Sequence, residues 1–276
     1  MNKSLKIREA GVAGMFYSRD KLILEREMSM LLEASNVIKT ERPVRAIIAP
    51  HAGYLYSGGV AARAYAQILN GKYKRVVVIA PSHEDTFSFN SIYPGLGYRT
   101  PLGEIQIDSD LAEKLVSAGM DIKFDELGHS KNEHALEVQL PFLQWSLGKF
   151  NLIPVSMGEQ DRQHIEELTK ALSNLLPAEG TLIVASTDLS HMHPQHEAEL
   201  MDQVVVESIE RLDEIRLWND IQSGRTEMCG FGPAIVAMKT AKAMGARQAK
   251  VLLYRNSGDI TGDMSEVVGY LSAIIY

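Results

Sequence analysis

Eight histidines are spread over 276 residues, and three of them follow short apolar runs with the composition of β-strands. Ala46-Ile47-Ile48-Ala49-Pro50-His51 and Val76-Val77-Val78-Ile79-Ala80-Pro81-Ser82-His83 both stop at Ala-Pro and then present an imidazole. A third run, Leu182-Ile183-Val184-Ala185-Ser186, is followed by Thr187-Asp188-Leu189-Ser190-His191, which delivers a carboxylate and another imidazole. Neutral imidazole is a common metal ligand, and its titration near neutrality also suits it to general acid or base work. His51 and His83 are too far apart in sequence for a local motif, but strand-helix-strand geometry brings such positions side by side. A third ligand is required, and Tyr254-Arg255-Asn256-Ser257-Gly258-Asp259 runs off a late strand into a glycine-hinged loop. Asp259 would complete a two-histidine, one-carboxylate face suited to ferrous iron, with positions left open for oxygen or substrate. Asp188 and His191 form a second pair, His191 as acid/base and Asp188 orienting it or a metal-bound water.

Each candidate has a plainer reading. A histidine beyond a strand can satisfy a turn, although two matched Ala-Pro endings are hard to explain by turn chemistry alone. His134, with Glu133 beside it and Glu137 three residues on, fits shared ligation from one helix face. It fits equally a solvated helix start whose carboxylates favour the positive end of the dipole, and both readings stand. Cys229, in Met228-Cys229-Gly230-Phe231-Gly232-Pro233, reads as a small buried hydrophobe rather than a ligand. His193 and His196 read as surface residues around Pro194. Tyr54, Tyr56 and Tyr93 read as packing aromatics, with a pocket wall as the alternative.

The elements that must position these groups alternate between short β-branched runs and helical patterns, the signature of a parallel or mixed sheet with helices on both faces. Strands are expected at 44–49, 75–80, 87–93, 151–156, 181–186 and 249–255. Helices are expected at 20–34, 59–70, 109–119, 133–147, 161–176, 196–215 and 231–244 from apolar positions near i, i+3, i+4 and i+7. Ser130 and Glu133 have capping-box spacing ahead of one of them. No linker or low-complexity tract divides the chain, so one α/β domain over 1–276 is expected. The net charge of -7 and the lack of a Lys/Arg run argue against nucleic acid as a partner. One cysteine excludes an intrachain disulfide framework. The start, Met1 to Ala10, lacks a signal-peptide apolar stretch, and no segment has the apolar length of a membrane helix. A cytoplasmic protein with no membrane partner is the expectation.

Pro50-His51-Ala52-Gly53-Tyr54 with Tyr56-Ser57-Gly58, Ala80-Pro81-Ser82-His83, Thr100-Pro101-Leu102-Gly103, Glu133-His134 with Glu137, Ser186 to His191, Cys229-Gly230 and Asn256-Ser257-Gly258-Asp259 together resemble the Memo family. Microbial members are also called AmmeMemoRadiSam system protein B. The likeness runs from Ala10-Gly11 with Phe16-Tyr17 to Val268-Gly269-Tyr270. It implies a fold similar to the class III, LigB-type extradiol dioxygenases, non-haem iron enzymes with two histidines and a carboxylate as ligands and a further histidine as acid/base. By position His51 and His83 match the ligands, His191 the acid/base and Asp188 the aspartate beside it. Animal Memo proteins are linked to copper or iron handling, oxidant production and phosphotyrosine-peptide binding, and carry a cysteine expected in the loop after the last strand. Residues 254–263 contain none, so the resemblance leaves Asp259 or a neighbour as third ligand.

The reading is therefore a metal-binding protein with ferrous iron as the expected metal and copper or zinc as alternatives. It would carry out oxygen-dependent or redox chemistry on a small chelating substrate, using His191, Asp188, His134 and Glu133. Two rivals remain. One is a peptide- or protein-binding adaptor using the same pocket, which the family's association extends to radical SAM and AMMECR-type partner proteins. The other is a metal-dependent hydrolase in which Asp188 or Glu133 activates water.

Overall fold

The computed structural model describes residues 6–276; Met1 to Leu5, half of the start read above as free of a signal sequence, lie outside the described residues. The first part of the chain runs β1 (Ile7–Arg8), α1 (Lys21–Glu33), β2 (Ala46–Ala49), a π-helical turn (Tyr54–Gly58), α2 (Gly59–Ala66), β3 (Arg75–Pro81) and β4 (Asn90–Ile92). Then come β5 (Gly97–Thr100), β6 (Gly103–Gln106), α3 (Ser109–Ala118), β7 (Ile122–Phe124), α4 (Gln139–Leu147), β8 (Asn151–Met157) and α5 (Arg162–Leu175). The remainder is β9 (Thr181–Ser186), β10 (His191–His193), α6 (Gln195–Glu210), α7 (Glu214–Gln222), α8 (Phe231–Ala243), β11 (Ala249–Asn256), α9 (Gly258–Thr261) and β12 (Val267–Ile275).

At the centre β2, β9, β3 and β8 lie side by side and parallel. Their residues are continuous apolar runs because both faces are covered, so no polar alternation is needed. Val76 to Ile79, Leu182 to Ala185 and Ile47 to Ala49 are wholly buried, and each Val, Leu or Ile so placed contributes about 1.5–3 kcal/mol. β12 joins β2 antiparallel and carries β10 and β11, while β4 joins β8 antiparallel and carries β7, making a mixed nine-stranded sheet. β1, β5 and β6 form a separate small sheet. Helices flank the large sheet: α1, α2 and α4 pack together, with α2 on β2 and β12, and α8 rests on β9, β2 and β3 beneath α5 and α7. The expected α/β fold with a mixed sheet is the one observed. Among the described residues no helix is long and apolar enough to cross a membrane.

Several boundaries differ from expectation, each for a visible reason. The helix expected at 133–147 begins only at Gln139, because the Glu133 and Glu137 side chains are bonded elsewhere. The capping box does not form: Glu133 turns to His83, and the Ser130 hydroxyl is left buried without a partner. The helix expected at 196–215 breaks at Leu212, whose φ is 51°, and Asp213 caps α7 by accepting from the backbone of Arg216. β12, absent from the expected strands, is a mostly apolar run with β-branched residues at both ends, Val267-Val268 and Ile274-Ile275, a pattern open to sequence reading.

One buried cluster clamps the start of the chain to the segment before α4. Glu137 and Arg8 form a salt bridge at 0% and 5% exposure. The Glu137 carboxylate also accepts from Gly11 N at 2.9 Å, Val12 N at 3.0 Å and the Tyr17 hydroxyl at 2.6 Å. Arg8 donates to the carbonyls of His129, Ser130 and Glu133. Glu137 is thus a structural partner, not a ligand beside His134. Gly11 lies so close to this segment that a Cβ would fall 1.7 Å from the Lys131 carbonyl oxygen.

Removing one member of a buried pair strands the other's charge, so Glu137→Ala is expected to lose about 3–5 kcal/mol of unfolding free energy, measured by urea denaturation. A second buried carboxylate predicts a pH effect. Asp202, accepting from Ser190 N at 3.0 Å and the Tyr254 hydroxyl at 2.8 Å, is shifted upward by burial, which outweighs those hydrogen bonds. The native state therefore holds this proton more tightly than the unfolded chain, and its contribution to stability falls as pH rises past the ordinary aspartate range. The stability lost in Asp202→Asn is expected to shrink as the pH rises above about 4 in paired denaturation curves.

Candidate metal centre

The carboxyl ends of β2, β3 and β9 deliver His51, His83 and Asp188 to one place, as the strand endings predict. His51 is 2% exposed. Its backbone N donates to Oδ1 of Asp188 at 2.8 Å, and its Nδ1 lies 3.0 Å from the Ser186 hydroxyl. That hydroxyl donates to the Ala135 carbonyl at 2.6 Å and accepts from Nε2 of Gln139 at 2.7 Å. A hydroxyl has one proton to give, so towards His51 it can only accept, and the ring must carry its proton on Nδ1. Nε2 is left with a free lone pair facing Sγ of Cys229 at 3.3 Å.

His83 is oriented in the same manner by a carboxylate. Nδ1 lies 3.2 Å from Oε1 of Glu133, which can only accept, so in the neutral ring Nε2 again keeps its lone pair. Such a partner on the far nitrogen is the usual support of a metal-ligating histidine. Glu133 also accepts from the backbone N of His83 at 2.6 Å and of Ala135 at 3.0 Å. Against the upward pull of burial, these bonds bring Glu133 down to about 2. Its role here is to hold His83.

Cys229 enters from the turn before α8. Gly230 permits the approach, because a Cβ there would fall 2.3 Å from the Ser186 carbonyl oxygen. The Asp188 backbone N donates to the sulfur at 3.2 Å, and Gln160 donates to the Cys229 carbonyl at 2.7 Å. The ligand atoms of His51, His83 and Cys229 lie within 4.8 Å of one another. Burial and Asp188 push the thiol up to about 12, and burial raises Asp188 to about 7 despite the bonds from His51 and Ala52. Burial and the neighbouring imidazoles hold His51 well below its usual range, whereas Glu133 outweighs burial and raises His83. Two imidazoles and one thiol held this close form a donor set that transition metals accept, and coordination would displace a thiol proton.

The other expected residues divide. His134 is adjacent, stacked on His83 at 4.8 Å and packed on Phe16 at 4.5 Å between ring centres. His191 stands exposed at the rim, within electrostatic reach of His51 and His83, and His193 pairs with Glu227 at 3.0 Å. Asp259 does not join the group. It is exposed in α9, accepts from Asn256 N at 3.1 Å and faces Arg255. Cys229, read from sequence as a packing residue, is the side chain that stands beside His51 and His83 instead, so the chain has a thiol here although residues 254–263 hold none. Tyr54 is a packing residue whose hydroxyl donates to Val138 at 2.7 Å. The supporting Ser186 and Gln139 carried no sequence signal beyond their positions; for Cys229 the signal was the paired Cys-Gly ahead of a helix.

Comparison with known proteins follows the same line. A MEMO1 family protein of Methanothermobacter thermautotrophicus is 36% identical, covering 96% of this chain and 98% of that protein. One from Aquifex aeolicus is 37% identical over 98% and 99% of the two chains. A crystal structure of an uncharacterized Escherichia coli K12 protein superposes with a TM-score of 0.61 over 85% of this chain and all of that one, at 16% identity, a likeness of fold. The Memo-like protein family model matches residues 8–274, and the chain belongs to that family.

Proposed function

We propose that this Memo-family protein binds one transition-metal ion through Nε2 of His51, Nε2 of His83 and Sγ of Cys229. The proposed reaction is oxygen-dependent or redox chemistry on a small chelating substrate. The observation that carries the reading is the tautomer set at His51 by the Ser186 hydroxyl. It aims an unprotonated nitrogen at the only thiol of the chain. Two imidazoles and a thiol suit iron(II), copper and zinc, and replacing the expected carboxylate by sulfur moves the preference toward the softer of these. When bound, the metal would supply Lewis acidity and electron exchange to a substrate bearing oxygen donors.

The chain's own groups handle protons and orientation. Asp188, tuned to about 7, can hold or release a proton at Oδ2, 4.0 Å from Nε2 of His51. His191 at the rim is placed to take a proton from an entering hydroxyl. Glu133 orients His83, which disfavours it as the water-activating base of a hydrolase. His134 and Phe16 wall one side.

Anaerobic titration of metal-stripped protein with iron(II), copper(I) and, as a spectroscopic probe, cobalt(II) tests the centre. One equivalent is expected in the wild type and none at this site in His51→Ala. Cys229→Ser should lose the sulfur-to-cobalt charge-transfer absorption. Ser186→Ala and Glu133→Gln, which remove supports for the ring orientations, should weaken binding about 10–100-fold. Equal binding by wild type and His51→Ala would refute the assignment. With iron loaded, oxygen uptake on adding a catechol, lost in His191→Ala, is the expected sign of the dioxygenase-like reaction; absence of uptake would refute that reaction while leaving the metal site standing.

A further inference from the structure

Of the four parallel central strands, β8 is the one whose carboxyl end brings no group to the His51, His83 and Cys229 centre directly. Its end carries a separate cluster of Glu159, Asp161 and His164, whose ligand atoms lie within 4.8 Å of one another. The two carboxylates are exposed and the imidazole is 3% exposed. Asp161 caps α5, with Oδ1 accepting from the backbone N of His164 at 2.9 Å. Glu159 is held from the other side, its Oε2 accepting from the Ser88 hydroxyl at 2.8 Å.

The feature that calls for a ligand is Nδ1 of His164. It is buried, and it has no hydrogen-bond partner. It nevertheless lies 2.8 Å from Oδ1 of Asp161, out of line for a hydrogen bond. With Nδ1 unprotonated, a nitrogen lone pair and a carboxylate oxygen held that close repel each other unless a cation serves both. Two ligands on one tetrahedral zinc ion, each bonded at about 2.0–2.2 Å, stand roughly 3.3–3.5 Å apart, so a small opening of this pair admits the ion. Glu159, exposed and able to change rotamer, can close the third position, and the remaining face is open to water.

We propose that Glu159, Asp161 and Nδ1 of His164 form a second divalent-cation site, of the zinc class, at the carboxyl end of β8. Its three donors, one nitrogen and two carboxylate oxygens, are harder than the nitrogen and sulfur set of the first centre. The site is structural: it ties the loop from Gly158 to the first turn of α5. Gln160 lies between two of the ligands, donates to the Cys229 carbonyl at 2.7 Å and accepts from Gly232 N at 2.7 Å. The same loop thereby supports the turn that presents Cys229.

The test uses the full chain with the first centre disabled by His51→Ala and Cys229→Ser, titrated with zinc by calorimetry and followed by thermal unfolding. One equivalent of zinc and a raised Tm are expected, since a ligand that binds only the folded chain stabilises it. Glu159→Gln, on an exposed side chain, should weaken this binding about tenfold or more. Asp161→Ser, which keeps a helix-capping oxygen but removes the carboxylate, should do the same. In 15N-resolved spectra the His164 Nδ1 resonance should shift on zinc addition. The remaining outcomes each overturn the proposal. These are no zinc uptake at millimolar concentration, uptake indifferent to Glu159→Gln and Asp161→Ser, or a His164 ring that is protonated and unchanged by zinc, an ion pair with Asp161 alone. Because the first centre is already removed, none of these results bears on its assignment.

Discussion

The candidate centre depends on the single proton of the Ser186 hydroxyl. That proton goes to the Ala135 carbonyl at 2.6 Å, so the oxygen can only accept from Gln139 and from His51. Gln139 is itself locked, with its amide nitrogen donating to the Pro50 carbonyl at 2.9 Å and its amide oxygen accepting from the Tyr65 hydroxyl at 2.6 Å. No member of this chain can reverse its donor and acceptor roles without stranding a buried partner, at a cost of about 1–3 kcal/mol. The direction of hydrogen bonding is thus carried from Tyr65, in the last turn of α2, to Nδ1 of an imidazole. It decides which nitrogen of His51 is free, and so what the site can bind.

The fold supplies the setting for that network in two layers. Parallel strands put the ends of β2, β3 and β9 at one edge of the sheet, where the polypeptide leaves the ladder and its side chains can converge. The segment from His129 to Val138 crosses above this edge, bringing Glu133, His134 and Ala135. It is not helical, so its backbone groups need partners from elsewhere. Arg8 meets three of its carbonyls and Glu137 gathers the chain from Gly11 to Tyr17. The start of the chain is therefore part of the support of His83, although it lies more than a hundred residues from Glu133 in sequence.

The legibility of the sequence follows from how local each constraint is. The parallel strands were readable because burial on both faces demands an unbroken apolar run, and His51, His83 and Asp188 were readable because they directly follow such runs. The helix expected from Glu133 was wrong because two of its carboxylates serve partners distant in sequence, and periodicity is blind to such demands. The break at Leu212 was equally hidden, since a lone positive φ at a leucine has no propensity signature. Asp259 also follows a strand, yet β11 lies outside the parallel centre, at the side of the sheet where it pairs only with β12. Its end reaches the same edge as that of β2, but β12 stands between the two strands, and the Asp259 carboxylate turns to Asn256 N and Arg255.

The third side chain of the candidate centre comes from the opposite direction. Once β2, β3 and β9 have placed two imidazoles and an aspartate, the open side of the group faces the turn entering α8, which rests on the same strands. A side chain can reach the group from there only if the following backbone comes down close to β9, and Gly230 allows this because it has no Cβ to strike the Ser186 carbonyl. Gln160 and the backbone N of Asp188 then hold the cysteine from its carbonyl and its sulfur. Position and chemistry are linked here: the residue that can be reached is a thiol, and a thiol makes the centre softer than the carboxylate expected from strand order alone. The Cys-Gly pair is thus one geometric unit, in which the glycine permits the approach and the cysteine uses it.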